Sequence, residues 1–373
     1  MTEHEPIIQW EPVFGDADVD AVSACVRSGW LNEAGRTAEL EARLAELLGV
    51  RHVAMTPSGT VAIALALMSA GVGPGMEVIV PDFTFFGTIS AVRLCGARPV
   101  LADVRASDFT LDPANAATLI GPRTRAILPV HLNGRAADVT AFENLAARHG
   151  LALIFDACQA LGSRSSAQPD ALPLGQEGLC SCFSLATTKI ITTGQGGFIS
   201  TNDDGIRRRL TELKDQGRLS RSHNFHASLG FNFKFTDLQA ALGLSQLAEL
   251  PQRLEKMQAT ERSYRARLAT VPEVVMPAWA PGESPWFIDI LASDAGALVQ
   301  YLASQRIQAR PFYPPLHAQA PCAATGPFPN TDRASAMGVW LPCSLTMTET
   351  QIGRVCDSIE SFFAARRAQR EAC

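Results

Sequence analysis

Residues 125–156 read RAILPVHLNGRAADVTAFENLAARHGLALIFD and contain two short apolar runs separated by a longer, mixed segment. The runs at 125–131 and 151–156 predict β-strands. The segment 139–148 between them predicts an α-helix. A strand, a helix and a second strand in this order are typical of an α/β domain with a largely parallel sheet.

The same alternation extends over most of the first two-thirds of the chain. Further strands are predicted at residues 52–55, 77–80, 99–104, 182–184 and 197–200, and further helices at 61–70 and 84–94. The strands are nearly all apolar, as expected when both faces of a sheet are covered by helices. In such sheets ligands bind at the carboxyl ends of the strands, so polar residues at those ends are the candidates for a site.

The pattern changes at about residue 250. Residues 251–268 predict a long polar helix, which leads to the proline-rich connector 277–282 and then to a smaller α+β unit from Trp286 onwards. A length of 373 residues is also typical of about two domains. We therefore expect a large domain over residues 1–250 and a small C-terminal domain over residues 251–373.

Composition and charge exclude several classes of protein. Of the 373 residues, 47% are hydrophobic and 18% are charged, so the chain is globular rather than disordered. The net charge of −5, with no basic cluster longer than residues 207–209, argues against nucleic-acid binding. The nine cysteines include no C-x-x-C pair, so we expect no metal site.

The sequence also shows no targeting segment. The stretch MTEHEPIIQWEP at the N-terminus carries acidic residues where a signal peptide needs a basic region and an apolar run. No apolar stretch approaches the roughly 18 residues of a membrane-spanning helix without a charge or a turn former. We therefore expect a cytoplasmic protein with reduced thiols and no membrane contact.

Lysine is scarce, with four lysines among 32 basic residues. Lys189 lies in FSLATTKIITTGQGG at residues 183–197, after a predicted strand and among hydroxyls and glycines. A desolvated lysine can lose its proton and form a Schiff base, whereas a surface turn is the alternative interpretation. Lys214 and Lys256 lie in charged helical segments and are expected to face solvent.

Two other strand ends carry polar residues. Asp156 follows five apolar residues, and it could either cap the next helix or bind the pyridinium nitrogen of pyridoxal phosphate. Ser58, Gly59 and Thr60 precede an apolar helix, where they could be an ordinary N-cap or a phosphate site, and Ser184 could add a second hydroxyl. The separation of Asp156 and Lys189 corresponds to about one β-loop-β unit.

Several motifs then occur together and in order. They are SGWLNEAGRTAELEARLAELLGV (28–50), TPSGTVAIALAL (56–67), VIVPDFTFFGTISAV (78–92), AILPVHLNGRAADV (126–139), FDACQALGS (155–163), FSLATTKIITTGQGG (183–197) and LGFNFKFTDLQAALGLSQL (229–247). With these motifs the chain resembles the DegT/DnrJ/EryC1/StrS sugar aminotransferases, which are fold-type-I enzymes that depend on pyridoxal phosphate. The resemblance implies a large domain with a mixed, mostly parallel seven-stranded sheet between helices, and a smaller C-terminal α+β domain.

The resemblance also implies roles for individual residues. Lys189 would carry the Schiff base and shuttle protons, Asp156 would hold the pyridine nitrogen, and Gln159 would contact the 3′ oxygen. The remaining cofactor contacts would be an aromatic stack from Phe85 and a phosphate site formed by Gly59, Thr60, Ser184 and, from the neighbouring subunit, Asn232. A homodimer with shared active sites is therefore implied.

Two positions depart from the family pattern. Gln195 stands where the family usually has Glu, which puts the role of that carboxylate in doubt. Lys234 stands where the family usually has Arg, and it could pair with Asp237 or contact substrate across the dimer. The dehydratases among the relatives replace the Schiff-base lysine by histidine, so Lys189 favours amino transfer.

The segments 307–317 and 340–344 resemble the perosamine-synthase branch of the family. This implies a nucleotide-linked 4-keto-6-deoxy sugar as acceptor and glutamate as donor. Arg310 is a candidate for a nucleotide phosphate or the glutamate carboxylate, or it is a surface arginine at a strand end. Tyr313 and His317 could line the sugar site. For His317, and similarly for His131 and Trp30, a structural role is the alternative, with Trp30 expected in the core.

Other functions stay open at this point. Within enzymes the alternatives are sugar dehydration and the amination of a cyclitol or of a ketosugar that carries no nucleotide, such as a ketosugar phosphate. From another class, the chain could be a regulator that binds pyridoxal phosphate without turnover. A basic patch or a DNA-binding module would favour the regulator, and the sequence shows neither.

Overall fold

The computed structural model describes residues 5–165, 171, 173–218, 224–322, 324 and 326–371. Its main sheet has seven strands in the order β1-β7-β6-β5-β4-β2-β3. They are β1 (His52–Thr56), β2 (Glu77–Pro81), β3 (Arg98–Ala102), β4 (Thr124–Ile127), β5 (Ala152–Asp156), β6 (Cys180–Ser184) and β7 (Gly197–Thr201). Strand β7 runs antiparallel to both neighbours, and the other adjacent pairs are parallel. The predicted mixed, mostly parallel sheet is therefore confirmed.

Helices cover both faces of this sheet. The helices in this part of the chain are α1 (Asp16–Ser28), α2 (Gly35–Leu48), α3 (Gly59–Ser69), α4 (Phe86–Leu94), α5 (Pro113–Thr118), α6 (Val139–His149), α7 (Asp204–Lys214), α8 (Asp237–Ala248) and α9 (Leu250–Leu268). Ile154 of β5 belongs to the core formed with α3, α4 and α7, whereas its neighbours Leu153 and Phe155 belong to the core formed with α6. Successive strand residues point to opposite faces, so both faces of β5 must be apolar.

A second, four-stranded antiparallel sheet lies in the C-terminal part of the chain. Its strands are β8 (Val274–Val275), β9 (Ile288–Ala292), β10 (Arg310–Pro311) and β11 (Gly338–Leu341), in the order β10-β11-β9-β8. The helices α10 (Ala295–Ser304), α11 (Pro329–Met337) and α12 (Glu349–Glu371) accompany it. The predicted α+β character of this part is confirmed, and the division into two domains at residue 250 stays a prediction.

The two sheets are connected by buried polar contacts. The side chain of Asn133 accepts a hydrogen bond from the backbone N–H of Phe287 at 2.7 Å and donates one to its carbonyl at 2.9 Å. These bonds hold the segment before β9 against the loop that follows β4. Among the described residues, no helix is both long and apolar enough to span a membrane.

Candidate active site

The predicted site residues meet where the central strands of the main sheet end. Strands β5 and β6 are parallel neighbours with Asp156 opposite Cys182, so Asp156 and Ser184 finish at the same edge. Lys189 lies in the loop between β6 and β7. A cavity of about 390 Å³ opens there, and the predicted residues among its lining are Gly59, Thr60, Phe85, Asp156, Gln159, Ser184, Lys189, Arg310 and Tyr313.

Lys189 is held in this cavity by a turn and an aromatic ring. Its backbone N–H donates to the carbonyl of Ala186 at 2.9 Å. Its Nζ lies 3.5 Å from the ring centre of Trp286, and the indole N–H of Trp286 donates to the carbonyl of Thr188 at 2.6 Å. Burial lowers the pKa of Lys189 to about 8, although Cys158 and Asp156 act in the opposite direction. A large fraction of the amine is therefore neutral, and nucleophilic, at mildly alkaline pH.

Asp156 is a buried carboxylate with only 4% of its surface exposed. One oxygen accepts a hydrogen bond from Thr88 Oγ1 at 2.8 Å, and the other accepts one from the backbone N–H of Cys158 at 3.1 Å. Residues 157–162 contain turns at 158–159 and 161–162 and no helix, so Asp156 does not cap a following helix. Because two donors orient it at the cavity wall, the carboxylate can pair with a cationic ring nitrogen.

The start of α3 also lines the cavity. Ser58 is its N-cap, and the Ser58 hydroxyl accepts from the backbone N–H of Val61 at 3.2 Å. A Cβ atom on Gly59 would lie 2.7 Å from Cys158 Sγ and 3.0 Å from Ser184 Cβ, so only glycine fits there. A helix N-terminus beside hydroxyl groups attracts anions, because its first N–H groups have no partner within the helix.

Two of the predicted histidines lie outside this cavity. The buried His131 accepts a hydrogen bond at Nδ1 from the backbone N–H of Ala137 at 3.0 Å, and burial lowers its pKa to about 3. The Nδ1 of His317 lies 2.6 Å from a carboxylate oxygen of Asp82, and its ring stacks on Phe328. These contacts favour the structural alternative for both residues.

Three further predicted residues also lie away from the cavity lining. Trp30 is 73% exposed, so the expectation that it belongs to the core is wrong for this chain. Asn232 is exposed as well. Lys234 pairs with Asp215 at 3.1 Å and not with Asp237, whose carboxylate is occupied by donors at the start of α2.

Several cavity residues were missed by the sequence analysis. Trp286 and Trp340 come from the second sheet region, and no spacing in the sequence connects them to Lys189. Thr88 could have been found from the sequence. It lies in the first turn of α4, which begins directly after Phe85 and shortly after the end of β2. Cys158 follows Asp156 by two residues and belongs to the same turn.

The family profile of the DegT/DnrJ/EryC1/StrS aminotransferases matches residues 13–360. The chain belongs to this family. It is a sugar aminotransferase, and the aminotransferases of this family depend on pyridoxal phosphate. The predicted family and enzyme class are thereby confirmed.

Individual relatives agree with this assignment. The chain is 34% identical to the GDP-perosamine synthase of Caulobacter vibrioides, with 91% of this chain and 94% of the relative covered. It is 29% identical to the GDP-perosamine synthase of Vibrio cholerae, with 95% and 98% covered. The crystal structure of DesV from S. venezuelae superposes with a TM-score of 0.87 and 31% identity over 93% of this chain and 94% of that chain.

Proposed function

We propose that this aminotransferase moves an amino group from glutamate to a nucleotide-linked 4-keto-6-deoxyhexose. The observation that carries the proposal is the position of Lys189 and Asp156 in one cavity that the N-terminus of α3 also lines. The sugar part is supported by the relatives, of which three are GDP-perosamine synthases at 28–34% identity over at least 91% of this chain.

The cavity residues fit pyridoxal phosphate. When bound, this cofactor supplies a reactive aldehyde and an electron-withdrawing ring. Gly59, Thr60 and Ser184 would hold the phosphate, because they bring a helix N-terminus and hydroxyl donors to the cavity. Asp156 would hold the ring nitrogen in its protonated form.

Two side chains would fix the ring in place. Phe85 is 58% exposed and faces the cavity, so its ring is free to stack on a ligand. The side-chain oxygen of Gln159 accepts from the backbone N–H of Asn133 at 2.8 Å. This bond orients the amide and leaves its NH₂ group for the 3′ oxygen of the cofactor.

Lys189 would first hold the cofactor and then move protons at its Nζ. An amine with a pKa near 8 both accepts and gives up a proton readily at neutral to mildly alkaline pH. The ring of Trp286 covers this amine and limits its contact with water.

Arg310 and Tyr313 would bind the substrates at the cavity mouth. Arg310 is exposed on β10, where its planar fork suits a nucleotide phosphate or the glutamate carboxylate. The ring of Tyr313 packs edge-on against Trp340, with the ring centres 4.6 Å apart, and its centre lies 6.0 Å from that of Phe85. Together these rings form an aromatic wall on one side of the cavity.

The active enzyme would be a homodimer in which Asn232 and Lys234 serve the partner's cavity. Both lie outside the cavity of their own chain. Large apolar side chains are also strongly exposed, including Trp30 at 73%, Phe225 at 72% and Leu229 at 82%. Such side chains are typical of a surface that is covered by another protein.

The test is an amination assay with purified protein, pyridoxal phosphate, glutamate and a panel of GDP-, dTDP- and UDP-linked 4-keto-6-deoxy sugars. We expect an amino sugar and 2-oxoglutarate, both detected by mass spectrometry, together with an absorbance band of lysine-linked cofactor. Lys189→Ala should abolish product and band. Lys256→Ala is the matched control, because Lys256 lies outside the cavity and bonds the carbonyl of Met347. A band that survives in Lys189→Ala, or a failure to aminate every nucleotide-linked sugar of the panel, would contradict the proposal.

A further inference from the structure

A second, much smaller cavity adjoins Lys189. It has a volume of about 20 Å³ and shares Lys189, Cys158, Gln159 and Trp286 with the large cavity. Its remaining lining residues are Leu161, Ile190, Leu254, Ser284 and Pro285. A space of roughly 10–15 Å³ on this measure is enough for one water molecule, so the small cavity has room for one.

Ser284, which lines this cavity, carries a buried polar group that lacks a partner among the described residues. Ser284 is buried, and its backbone N–H and carbonyl are both bonded to the hydroxyl of Ser163, at 3.0 Å and 3.3 Å. Its own hydroxyl, however, has no hydrogen-bond partner among the described residues. A buried hydroxyl without a partner is costly, and a trapped water molecule is the usual way in which proteins satisfy one.

The small cavity and an outer groove have one lining residue in common. The groove has a volume of about 510 Å³, and Leu254 of α9 is the described residue that lines both spaces. Arg43, Glu46 and Arg164 also line the groove, so charged side chains are available there to bind water. Leu254 packs against Gly162, where an added Cβ atom would lie 2.4 Å from a Leu254 methyl carbon.

We propose that the small cavity is a binding site for one ordered water molecule, which is held by the Ser284 hydroxyl and exchanges protons with Nζ of Lys189. An ammonium group at Nζ gives one proton to this water, which passes one of its own protons to water in the outer groove when Leu254 moves aside. The amine is left neutral and no electrons are transferred. The site would let Lys189 exchange protons with solvent while substrate fills the large cavity.

The proton-exchange role rests on the proposed function, whereas the water site does not. The groups that face Lys189 are Asp156 at the end of β5, Cys158 in the turn after it, Trp286 before β9, and the apolar Leu254 from α9. Of these, only Asp156 and Cys158 are titratable. A change in hydration on the Ser284 side should therefore be visible in the titration of Lys189.

The first experiment is a high-resolution crystal structure of the full-length protein. We expect density for one water within hydrogen-bonding distance of Ser284 Oγ. An empty cavity, or a Ser284 hydroxyl bonded to the protein, would overturn the water site.

The second experiment measures the pKa of Lys189 by NMR in cofactor-free, full-length protein labelled with ¹³Cε-lysine. The chain has only four lysines, so four signals are expected, and Lys189→Arg identifies the relevant one. Ser284→Ala should lower the pKa by about half a unit or more, because the cavity loses its water, and Leu254→Ala should raise it, because the groove water enters. Leu247 lines the groove and not the small cavity, so Leu247→Ala should leave the pKa of Lys189 unchanged.

An unchanged Lys189 pKa in both Ser284→Ala and Leu254→Ala would overturn the role of the water even if the water is present. Because Ser284 makes no side-chain hydrogen bond to the described residues, its replacement should not unfold the protein. Neither measurement needs a substrate, so failure of the water site and failure of the proposed reaction are distinguishable.

Discussion

Arg135 and Asp289 form a buried ion pair with two hydrogen bonds, of 2.6 Å and 2.9 Å, between the loop after β4 and strand β9. The guanidinium group also lies 3.8 Å from the ring centre of Trp279, and its Nε donates to the carbonyl of Ala278 at 3.1 Å. These contacts fix the chain segment that carries Trp286 over Lys189. The geometry of the cavity thus depends on an ion pair that lies outside it.

Removing one member of this pair should be strongly destabilising. Arg135→Met leaves the Asp289 carboxylate buried without its partner, and we expect the free energy of unfolding to fall by about 3–5 kcal/mol. The double variant Arg135→Met/Asp289→Leu should recover most of the loss, because no charge remains buried. Urea denaturation measures both. Arg43→Ala, which removes an exposed pair with Glu39, is the control and should have little effect. A double variant that is no more stable than Arg135→Met would contradict this account.

Trp286 should control the protonation of Lys189. Trp286→Ala exposes Nζ to water, so we expect the pKa of Lys189 to rise from about 8 towards its usual value of 10.5. At neutral pH the fraction of neutral amine then falls about tenfold for each unit of that rise. Trp286→Phe keeps a ring over the amine and should shift the pKa much less. The ¹³Cε-lysine titration measures both variants, and an equal pKa in Trp286→Ala and the parent would show that the indole does not desolvate the lysine.

Gly59 should be required for cofactor binding through its lack of a side chain. In Gly59→Ala the new methyl group meets Cys158 Sγ at 2.7 Å, and overpacking of this kind costs about 1–3 kcal/mol. We expect at least about a fivefold loss of affinity for pyridoxal phosphate, measured by absorbance titration. Adding Cys158→Ala should restore part of it. Gly296→Ala, where nothing lies within 4 Å of the new atom, is the control. An unaltered affinity in Gly59→Ala would show that the start of α3 can shift without harm.

Asp237 should make stability depend on acid pH. Burial opposes its ionisation, but hydrogen bonds from the backbone N–H groups of Ala34, Thr37 and Arg36 and from the Thr37 hydroxyl outweigh burial and lower its pKa. A carboxyl group with a lowered folded-state pKa contributes stability above its unfolded-state pKa, and this contribution is lost as pH falls through the folded value.

We therefore expect Asp237→Asn to cost about 1–2 kcal/mol at pH 7. The difference from the parent should narrow below about pH 4, as the parent's carboxylate becomes protonated. Urea denaturation at several pH values measures this. Asp112→Asn, at the N-cap of the short helix α5, is the control for an ordinary cap. A difference that stays constant down to pH 3 would mean that the carboxylate charge is not what stabilises the start of α2.

The strands and the strand-end residues could be predicted because they depend on local pattern. Each strand is an apolar run, and parallel strands bring their carboxyl ends to one edge, so Asp156, Ser184 and Lys189 were expected together. Trp286 could not be found in this way. Its place over Lys189 depends on how the second sheet packs against the first, through Arg135 and Asp289, and no short-range spacing encodes that contact.

The burial of Lys214 is a second feature that local sequence pattern does not predict. Its helix is rich in charged residues, and Lys214 was expected to face solvent, which is wrong. Its side chain is buried, with Nζ 3.3 Å from Glu33 and 3.8 Å from Glu41. Both partners come from α2 and the residues before it, far away in the sequence. A charged helix can therefore hide a buried ion pair whenever its partners are distant along the chain.

Subunit mixing can test whether Asn232 acts in the partner's cavity. Asn232 is exposed and lies outside the cavity of its own chain. Lys189→Ala alone should be inactive, and Asn232→Ala alone should be strongly impaired. In a mixed dimer of the two, one cavity combines an intact Lys189 with an intact Asn232 from the other subunit. Random mixing should thus restore about a quarter of the parental activity.

The control mixes Lys189→Ala with Asp156→Ala. Both residues line the same cavity of one chain, so each cavity of this mixed dimer lacks one of them, and no activity should return. Different affinity tags on the two variants, with co-purification through each tag, confirm that mixed dimers have formed. Recovery with Asn232→Ala but not with Asp156→Ala would place Asn232 in the partner's site. Failure of the Asn232 mixture to recover, with dimers present, would show that each chain works with its own residues alone.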